Sequence, residues 1–303
     1  MSAARKRRNP VLTDFVRTKS PAMRAVVQTV EKVIDHDVNV FLLGESGVGK
    51  DHLAEAIHAC GPRRDRPLVR IDCAAIPAEL FEAELFGFEK GTFTDAVARK
   101  VGKLEMVQGG TVYFDDVVSL APHLQAKLLR AIQEKRFTRL GGHQSISFDS
   151  RILSSSMGGT LRNDLLYRLN VVTIEIPPLR ERPEDIEPLA KAFVARRKRG
   201  IDKTAVEMLR AHRWPGNVRE LRNVIDRAVL LEESDWVTSR SLPPLESDFV
   251  GAAAEREWTL EQLEARYIRE VLRRTRSNFS RAAAILGINR KTLLEKRRKY
   301  EID

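Results

Sequence analysis

The chain has 303 residues, of which 43% are hydrophobic and 31% are charged, so it can bury the cores of about two or three domains. No apolar run is long enough to span a membrane, and no apolar segment follows the basic N-terminus, so we expect neither a membrane anchor nor a secretory signal. The two cysteines, Cys60 and Cys73, are too few for a disulfide framework and are typical of a reducing compartment, so we expect a cytoplasmic protein. The net charge of +10 favours a polyanionic partner, although a basic soluble enzyme would carry the same charge.

The first segments predict a tail, a helix and a strand. Residues 1–17 are basic and are expected to form a tail. Ser20 and Pro21 are typical of a helix start, and apolar residues then recur at helical spacing as far as Val33. The apolar run 38–43 predicts the first strand, which leads directly into a glycine-rich loop.

This glycine-rich loop precedes a segment typical of a helix, 52–58, and its residues are Gly44, Glu45, Ser46, Gly47, Val48, Gly49 and Lys50. Glycines allow consecutive backbone N–H groups to point at one anion, and the start of the helix adds positive charge. The spacing fits a P-loop, in which the lysine reaches the outer phosphates of a nucleotide, although Asp51 takes the place of the usual serine or threonine. The alternative is an ordinary strand-to-helix turn that contains glycines.

A second strand is predicted at 68–72 and a helix at 77–85, and a different kind of loop, 86–96, follows them. This loop holds several glycines and aromatic residues without helical periodicity. Two interpretations remain open. The loop is either a hairpin whose Phe88 or Phe93 packs inward, or a protruding loop that presents Phe93 to a partner.

Two carboxylates follow the next predicted strand. The apolar run 111–114 ends in Asp115 and Asp116, which is the Walker B arrangement. One carboxylate can hold Mg²⁺ while the next polarises a water molecule. Two acidic residues after a strand are a weak signal alone, but downstream of a P-loop they favour a nucleotide site strongly.

Further strands are predicted at 148–154 and 171–176, and Arg162 and Arg168 lie beside an apolar segment between them. A helix is predicted to begin at Pro122. Strands that alternate with helices up to about residue 176 predict an α/β fold with a parallel sheet. From Glu184 onward the pattern becomes helical, and we expect a linker at 242–257.

The last segment, 258–303, is typical of a small helical domain. A first amphipathic helix precedes a short helix that ends at Gly287, and a basic helix follows it. This order predicts a helix-turn-helix, whose cations contact phosphates and whose first turn reaches base edges. The candidate DNA contacts are Arg281, Asn289, Arg290, Lys291, Thr292 and Lys296. The alternative is a helical bundle with a solvated charged face.

Together these motifs resemble one family, the bacterial enhancer-binding proteins, which are AAA+ activators of sigma-54 RNA polymerase. The resemblance extends from about residue 18 to the end of the chain. Its most specific segments are 44–50, 84–91, 165–171, 177–186 and 214–221, and the C-terminal segment resembles a Fis-type helix-turn-helix.

The resemblance implies a domain order and a mode of assembly. It divides the chain into a basic tail at 1–17, an AAA+ α/β subdomain at 18–178, a helical lid at 179–241, a linker at 242–257 and a helix-turn-helix domain at 258–303. It also implies a hexameric ring with ATP between neighbouring subunits. The chain lacks room for a regulatory domain in 1–17, so we expect control by a partner, by expression level or by nucleotide.

The resemblance also assigns roles to the nucleotide-site residues. Lys50 would bind the phosphates, Asp115 would hold Mg²⁺, and Asp116 would occupy the water-activating position. The remaining cations fit known arginines of the family. Arg162 and Arg168 correspond to those that reach the neighbour's nucleotide, and Arg219 to the lid arginine that senses the γ-phosphate. Each of these arginines, taken alone, could also be a surface or structural cation.

The loop that contacts sigma-54 in the family corresponds to the segment that begins with Gly91, Thr92, Phe93 and Thr94. It departs from the family pattern, because Thr92 replaces an alanine and Asp95 replaces a glycine. The nucleotide site departs as well. The positions of Asp72, Asp116 and Met157 usually hold an asparagine, a glutamate and a polar sensor residue.

The sequence therefore favours an ATP-dependent activator that binds upstream DNA and remodels sigma-54 RNA polymerase. The altered loop and the pair of Asp72 and Asp116 support a rival: a DNA-binding AAA+ regulator that binds nucleotide but does not engage sigma-54. Such a regulator would act as a repressor, an antagonist or a hetero-oligomer subunit. A third interpretation is a pure ATPase whose basic C-terminal helix is only solvated.

Overall fold

The computed structural model describes residues 18–93, 96–195, 197, 199–243, 245, 258–275, 278–300 and 302. The chain divides after Leu245 into two compact units. The predicted tail, the greater part of the predicted linker, and Thr94 and Asp95 lie outside the described residues. Within the described residues, no helix is long and apolar enough to cross a membrane.

A five-stranded parallel sheet forms the centre of the first unit, with the order β2-β5-β8-β1-β9. Its strands are β1 (Val40–Leu43), β2 (Leu68–Asp72), β5 (Thr111–Asp115), β8 (Arg151–Ser156) and β9 (Val172–Glu175). Each neighbouring pair is parallel, which confirms the predicted α/β sheet. The glycine-rich loop follows the inner strand β1. Asp115 ends the inner strand β5, and Asp116 follows it.

Two short antiparallel hairpins flank this sheet. The first pairs β3 (Gly87–Phe88) with β4 (Lys100–Val101), and the second pairs β6 (Arg136–Thr138) with β7 (Ser145–Ser147). The strand predicted at 148–154 was placed too early. Phe148 still continues the second hairpin, since its N–H donates to the carbonyl of Lys135 at 2.8 Å, and the sheet strand begins only at Arg151.

Helices cover both faces of the sheet. Their ranges are α1 (Pro21–Val33), α2 (Lys50–Cys60), α3 (Ala78–Phe86), α4 (Lys103–Met106), α5 (Pro122–Glu134) and α6 (Asn163–Leu169). Alternate side chains of one strand serve different cores: Tyr113 packs with α1 and α2, while Val112 and Phe114 pack with α3, α5 and α6. Ser20 caps α1 through a hydrogen bond from the N–H of Met23, as the sequence predicts.

Three further helices form a lid with its own core. They are α7 (Ile186–Ala195), α8 (Lys203–Ala211) and α9 (Asn217–Leu231), accompanied by the parallel pair β10 (Gly200–Ile201) and β11 (Trp236–Val237). Trp214 is fully buried in this core, and its indole N–H donates to the carbonyl of Leu209 at 2.9 Å. The turn at Trp214 therefore fixes the point at which α9 begins.

The second unit contains three helices, α10 (Leu260–Arg274), α11 (Phe279–Leu286) and α12 (Arg290–Lys299). Asn278 caps α11 and Asn289 caps α12, each by accepting a backbone N–H from its helix. Gly287 ends α11 with φ of +66°, a conformation that glycine adopts without strain. The predicted helix-turn-helix is confirmed as a fold.

Candidate nucleotide site and interaction surfaces

The P-loop joins β1 to α2, and its glycines are required for different reasons. A Cβ atom on Gly47 would lie 2.3 Å from the carbonyl oxygen of Gly216, so only glycine lets the lid approach here. Gly49 has φ of +107°, yet a Cβ there would meet no atom within 4 Å. This open side of the loop lies at the start of α2, where backbone N–H groups favour an anion. The loop therefore fits a phosphate group.

Lys50 lies at the centre of the loop. Its Nζ donates to the carbonyl oxygens of Gly44 and Glu45, at 2.7 and 3.0 Å. Burial lowers the pKa of Lys50, while the carboxylates of Asp115 and Asp116 act in the opposite direction. The lysine is thus held inside the loop and next to the carboxylates, where the sequence places it.

Asp51 and Asp115 are connected through one arginine and one tyrosine. The guanidinium of Arg70 lies 2.8 Å from Asp51 Oδ2 and donates a hydrogen bond to Asp115 Oδ2. The hydroxyl of Tyr113 lies 3.0 Å from Asp51 Oδ1 and 3.2 Å from Asp115 Oδ1. Ser155 donates to Asp115 Oδ1 at 2.7 Å. Both oxygens of Asp115 therefore accept hydrogen bonds from the protein itself.

This donor set decides how well the site fits a magnesium ion. Burial alone would raise the pKa of Asp115, but the hydroxyl of Ser155 and the guanidinium of Arg70 together lower it. Asp115 is therefore ionised, as a metal ligand must be, yet a fixed cation already binds it. The phosphate-binding loop fits a nucleotide, whereas Asp115 in this arrangement does not fit Mg²⁺.

Asp116 adopts the left-handed conformation, with φ of +52°. Its N–H donates to Ser155 Oγ at 3.0 Å, and its Oδ2 accepts a hydrogen bond from Ser119. Its Oδ1 is buried, and the described part of the chain offers this atom no hydrogen-bond partner. Its unused acceptor capacity would allow this oxygen to bind a water molecule. Asp72 binds locally instead, since its Oδ1 accepts the N–H groups of Ala74 and Ala75.

The lid contacts the P-loop through residues at the start of α9. Asn217 is fully buried; its Nδ2 donates to Glu45 Oε2 and to the Ser46 carbonyl, at 3.1 and 3.0 Å. Arg219 Nη1 donates to Ser46 Oγ at 2.8 Å, and its backbone N–H donates to the Gly47 carbonyl at 3.3 Å. Arg219 therefore lies at the P-loop, and its assigned role as a γ-phosphate sensor stays a prediction.

Glu45 also receives a bidentate ion pair from a residue beyond β9. Arg180 donates to both of its carboxylate oxygens, at 2.9 and 2.7 Å. Arg182, nearly fully buried, donates to the carbonyl of Val48 at 2.8 Å. Arg180 and Arg182 thus form a second set of contacts with the P-loop, in addition to those of Asn217 and Arg219.

The two arginines predicted to act on a neighbouring nucleotide lie at opposite ends of α6. Arg162 is exposed and forms an ion pair with Asp164, whose Oδ2 lies 2.7 Å from its Nη2. Arg168 is exposed near the C-terminal end of the helix. Among the described residues, neither arginine forms a hydrogen bond or ion pair with the P-loop of its own chain, and their assigned role stays a prediction.

The loop that begins at Gly91 rises from the first hairpin. The side chain of Phe93 is 46% exposed, and its ring packs edge-on against Phe88 with 4.7 Å between the ring centres. The hydroxyl of Thr92 lies within hydrogen-bond distance of two carbonyl oxygens, those of Glu89 (2.6 Å) and Leu140 (3.0 Å). Both interpretations of the loop hold in part: a hairpin forms its base, and Phe93 remains accessible. Thr94 lies outside the described residues.

The helix-turn-helix presents part of the predicted DNA contacts to solvent. Arg281, Arg290 and Lys291 are exposed. Asn289 accepts hydrogen bonds from the N–H and the hydroxyl of Thr292, so both side chains cap α12. Lys296 pairs with Glu264 of α10 at 2.7 Å, which favours a role in helix packing. The assignment of these residues to DNA stays a prediction.

The sequence does not predict five residues that contact this site: Arg70, Tyr113, Ser155, Arg180 and Asn217. Tyr113 lies two residues before Asp115 in the same apolar strand, where alternate side chains share a face. Ser155 lies in the neighbouring strand, and the pairing of β5 with β8 brings its hydroxyl to Asp115. An arginine within the predicted strand at 68–72 was the one signal that could have drawn attention to Arg70. Asn217 lies within the turn after Trp214, where a polar residue is ordinary.

Three segments of the chain match known protein families. Residues 16–175 match the family described as "Sigma-54 interaction domain", residues 180–256 match "AAA+ ATPase lid domain", and residues 259–300 match "Bacterial regulatory protein, Fis family". The first match alone covers more than half of the chain. The order of the three matches agrees with the order of the α/β unit, the lid and the helix-turn-helix.

The chain spans between 58% and 68% of the length of three curated relatives that it matches. The transcriptional regulatory protein ZraR of Klebsiella oxytoca is 42% identical over 296 residues, which cover 91% of this chain and 67% of that protein. The regulatory protein AtoC of Escherichia coli is 40% identical over 311 residues, with 94% and 68% covered. The nitrogen fixation protein VnfA of Azotobacter vinelandii is 40% identical over 304 residues, with 94% and 58% covered.

Solved structures give the same result. NtrX of Brucella abortus, crystallised in complex with ADP, is 35% identical with a TM-score of 0.68, covering 93% of this chain and 68% of that one. RuvB of Thermotoga maritima, in a mutant form, has a TM-score of 0.53 at 14% identity, covering 90% and 83%. The likeness to RuvB concerns the fold alone.

Proposed function

Because this chain belongs to the family of sigma-54-dependent AAA+ transcriptional activators, we propose that it binds upstream DNA and remodels sigma-54 RNA polymerase by hydrolysing ATP. The observation that carries this proposal is the accessible ring of Phe93 on a loop whose base is held by a hairpin. An exposed aromatic on a supported loop is suited to binding a partner protein. The domain boundaries given above are part of this proposal.

Nucleotide binding is proposed for the P-loop together with the lid. Lys50 and the N–H groups at the start of α2 bind the phosphates, and Arg219 approaches them from the lid. The N–H groups of Val218 and Arg219 donate to the carbonyl of Gly47. A change at the phosphates therefore reaches α9 through one layer of hydrogen bonds.

Hydrolysis is proposed to use Asp116 as the group that orients water. Its buried Oδ1 supports this role, because no protein donor competes for that oxygen within the described residues. Arg162 and Arg168 are proposed to act on the nucleotide of a neighbouring subunit in a ring, where an arginine stabilises the charge on the transferred phosphoryl group. Their exposure on α6 supports an intersubunit role. The sequence-based assignment of Mg²⁺ to Asp115 does not agree with the donors already bound to this carboxylate, and no step here depends on it.

DNA binding is proposed for the second unit. Arg290 and Lys291 lie exposed in the first turn of α12, the position from which a recognition helix reaches the major groove. Arg281 lies exposed on the preceding helix and is proposed to contact phosphate.

The experiment that tests the activator proposal is sigma-54 binding by the purified protein in the presence of ADP and aluminium fluoride. We expect a complex that requires the nucleotide analogue and is lost in the Phe93→Ala variant. Leu230→Ala is the matched control, since it removes an 82%-exposed apolar side chain from the lid. Full nucleotide occupancy without a complex would contradict the proposal for the protein on its own.

A second candidate function is favoured by the ion pairs of Arg70. A regulator that binds DNA and nucleotide without engaging sigma-54 does not need rapid turnover, and an arginine bound to Asp115 is compatible with slow turnover. Such a regulator would act as a repressor, an antagonist or a subunit of a hetero-oligomer. It predicts normal nucleotide and DNA binding without a sigma-54 complex in the same experiment.

A further inference from the structure

The guanidinium of Arg70 lies between two carboxylates that belong to different motifs of the site. One nitrogen lies 2.8 Å from Asp51 Oδ2, at the start of α2, and another donates to Asp115 Oδ2, at the end of β5. The strand register explains this reach. Arg70 lies opposite Tyr113 in the parallel pair of β2 and β5, and Tyr113 itself precedes Asp115 by two residues. The guanidinium carbon of Arg70 lies 5.9 Å from the centre of the Tyr113 ring.

This position carries a permanent positive charge. An arginine stays protonated over the whole physiological pH range, so the charge between Asp51 and Asp115 does not depend on solution conditions. In a P-loop site, a divalent cation holds the corresponding place between the Walker carboxylate, the residue after the P-loop lysine and the outer phosphates. Arg70 thus places a cation of the chain itself between Asp51 and Asp115.

The groups already bound to Asp115 oppose the binding of a metal ion to this carboxylate. Asp115 Oδ1 already accepts hydrogen bonds from Ser155 and Tyr113. Asp115 Oδ2 is bound to Arg70. A metal ion that approached Oδ2 would also lie within a few ångströms of a like charge, which opposes its binding. The ion can therefore bind Asp115 well only after Arg70 has moved away.

We propose that Arg70 replaces the divalent cation as the charge partner of Asp51 and Asp115, so that the chain binds nucleotide without a metal ion. A metal ion then has to displace the arginine, and the nucleotide is held in a state of slow turnover until it does. This inference rests on the nucleotide binding proposed above, and it names the regulation of that same site. A planar guanidinium with five donors is also suited to bind phosphate oxygens directly.

The first test is the affinity for a fluorescent ADP analogue, measured with excess EDTA and with excess Mg²⁺. For the unaltered protein we expect similar dissociation constants, within about threefold, in the two conditions. For Arg70→Ala we expect metal-free binding to be weaker by about 10- to 100-fold, the range typical of groups that support a metal site, and Mg²⁺ to restore it. Arg64→Ala is the matched control, since it removes an exposed arginine from the segment that precedes β2.

The second test follows the metal ion itself. Mn²⁺ is titrated into the ADP complex and its free fraction is read by electron paramagnetic resonance. We expect Arg70→Ala to bind Mn²⁺ about 10- to 100-fold more tightly than the unaltered protein. We expect Arg70→Gln, which keeps most of the side-chain length without the charge, to behave in the same way. Since the side chain of Arg70 is 45% exposed, we expect all these variants to fold, and circular dichroism checks this.

The outcomes separate this inference from the proposed function. If the unaltered protein requires Mg²⁺ for ADP binding as strongly as Arg70→Ala does, or if Mn²⁺ affinity is the same in both, Arg70 is not the charge partner proposed here. If the protein binds no nucleotide in either condition, the proposed function and this inference fail together. Metal-dependent binding in every variant would contradict this inference and leave the proposed function intact.

Discussion

The nucleotide site has two halves, one built mainly on a single contiguous motif and one built from residues of several distant segments. The phosphate half consists of the P-loop, residues 44–50, with Asn217 and Arg219 from the lid. The carboxylate half consists of Asp51, Asp115 and Asp116 with Arg70. The phosphate half has the glycines and the lysine that its function requires, with an open side at Gly49. The carboxylate half instead contains an arginine where a divalent cation is expected.

This difference separates two proposed tasks within one site. We propose that the backbone N–H groups and Lys50 bind the phosphates directly. Arg70 contacts two of the carboxylates, on which metal-free binding and turnover are proposed to depend. Four predictions examine this separation, beginning with the change from which we expect the largest effect.

Lys50→Ala should remove nucleotide binding from the phosphate half. The lysine is the one charged side chain held inside the loop by the Gly44 and Glu45 carbonyls. We expect ADP to bind about 100-fold more weakly, which corresponds to about 2.7 kcal/mol. Titration with a fluorescent nucleotide measures this, and Lys32→Ala, which removes an exposed lysine from α1, is the control. Unchanged affinity would mean that the loop does not bind phosphate.

Asn217→Ala should destabilise the link between the lid and the P-loop. The substitution leaves the N–H of Leu179 and the carbonyl of Ser46 without this partner in a buried place. We expect the free energy of unfolding to fall by about 2 to 3 kcal/mol. Denaturant unfolding measures it, with Asn223→Ala on the exposed side of α9 as the control. An equal effect of both substitutions would contradict the role of Asn217.

Asp116→Glu should change ATP turnover at least several-fold while ADP affinity stays the same. The aspartate is one methylene shorter than the glutamate usual at this place, and a shift of about 1 Å in such a group costs about 100-fold in rate. Steady-state phosphate release measures the effect. Asp65→Glu, at an exposed residue of the connection before β2, is the control. An unchanged rate would argue against Asp116 as the group that orients water.

Lowering the pH should weaken the ion pair of Glu45 with Arg180. We expect this change to have the smallest effect among the four predictions. The hydrogen bonds from Arg180, and then from Asn217, lower the pKa of Glu45 below its ordinary value of 4.5. The stabilisation is therefore complete above that value and is lost as the pH falls through the lowered pKa. Because the carboxylate is 41% exposed, we expect a contribution of less than about 1 kcal/mol.

The measurement is the difference in unfolding free energy between the unaltered protein and Glu45→Gln as the pH is lowered. We expect this difference to shrink as the carboxylate becomes protonated. Glu233→Gln, at an exposed position after α9, should show no such trend. A difference that stays constant with pH would contradict the contribution of the ion pair.

The sequence predicts the P-loop of the phosphate half well because the residues of this loop are contiguous. Seven neighbouring residues between a strand and a helix carry the whole pattern, and the structure places Lys50 inside the loop that they form. The Walker B carboxylates are predictable for the same reason, since Asp115 ends a buried strand. The parallel sheet follows from the alternation of strands and helices.

The remaining contacts depend on pairings between distant segments, which no local pattern contains. Arg70 and Asp115 are 45 residues apart, and they meet only because β2 pairs with β5. Asn217 and Glu45 are 172 residues apart, and they meet because the lid packs on the loop. The start predicted for β8 is wrong for a related reason. Phe148 is apolar and fits a strand, but it pairs with Lys135 of the neighbouring hairpin.

The hydrogen bonds of Thr92 have a mechanical consequence for Phe93. Thr92 holds the loop against Leu140, the N–H of Glu89 donates to the same carbonyl at 3.0 Å, and the buried Arg139 binds the carboxylate of Glu89. These contacts couple the two hairpins mechanically. A force that displaces Phe93 is transmitted to the second hairpin, because bending within the loop would first have to break these bonds.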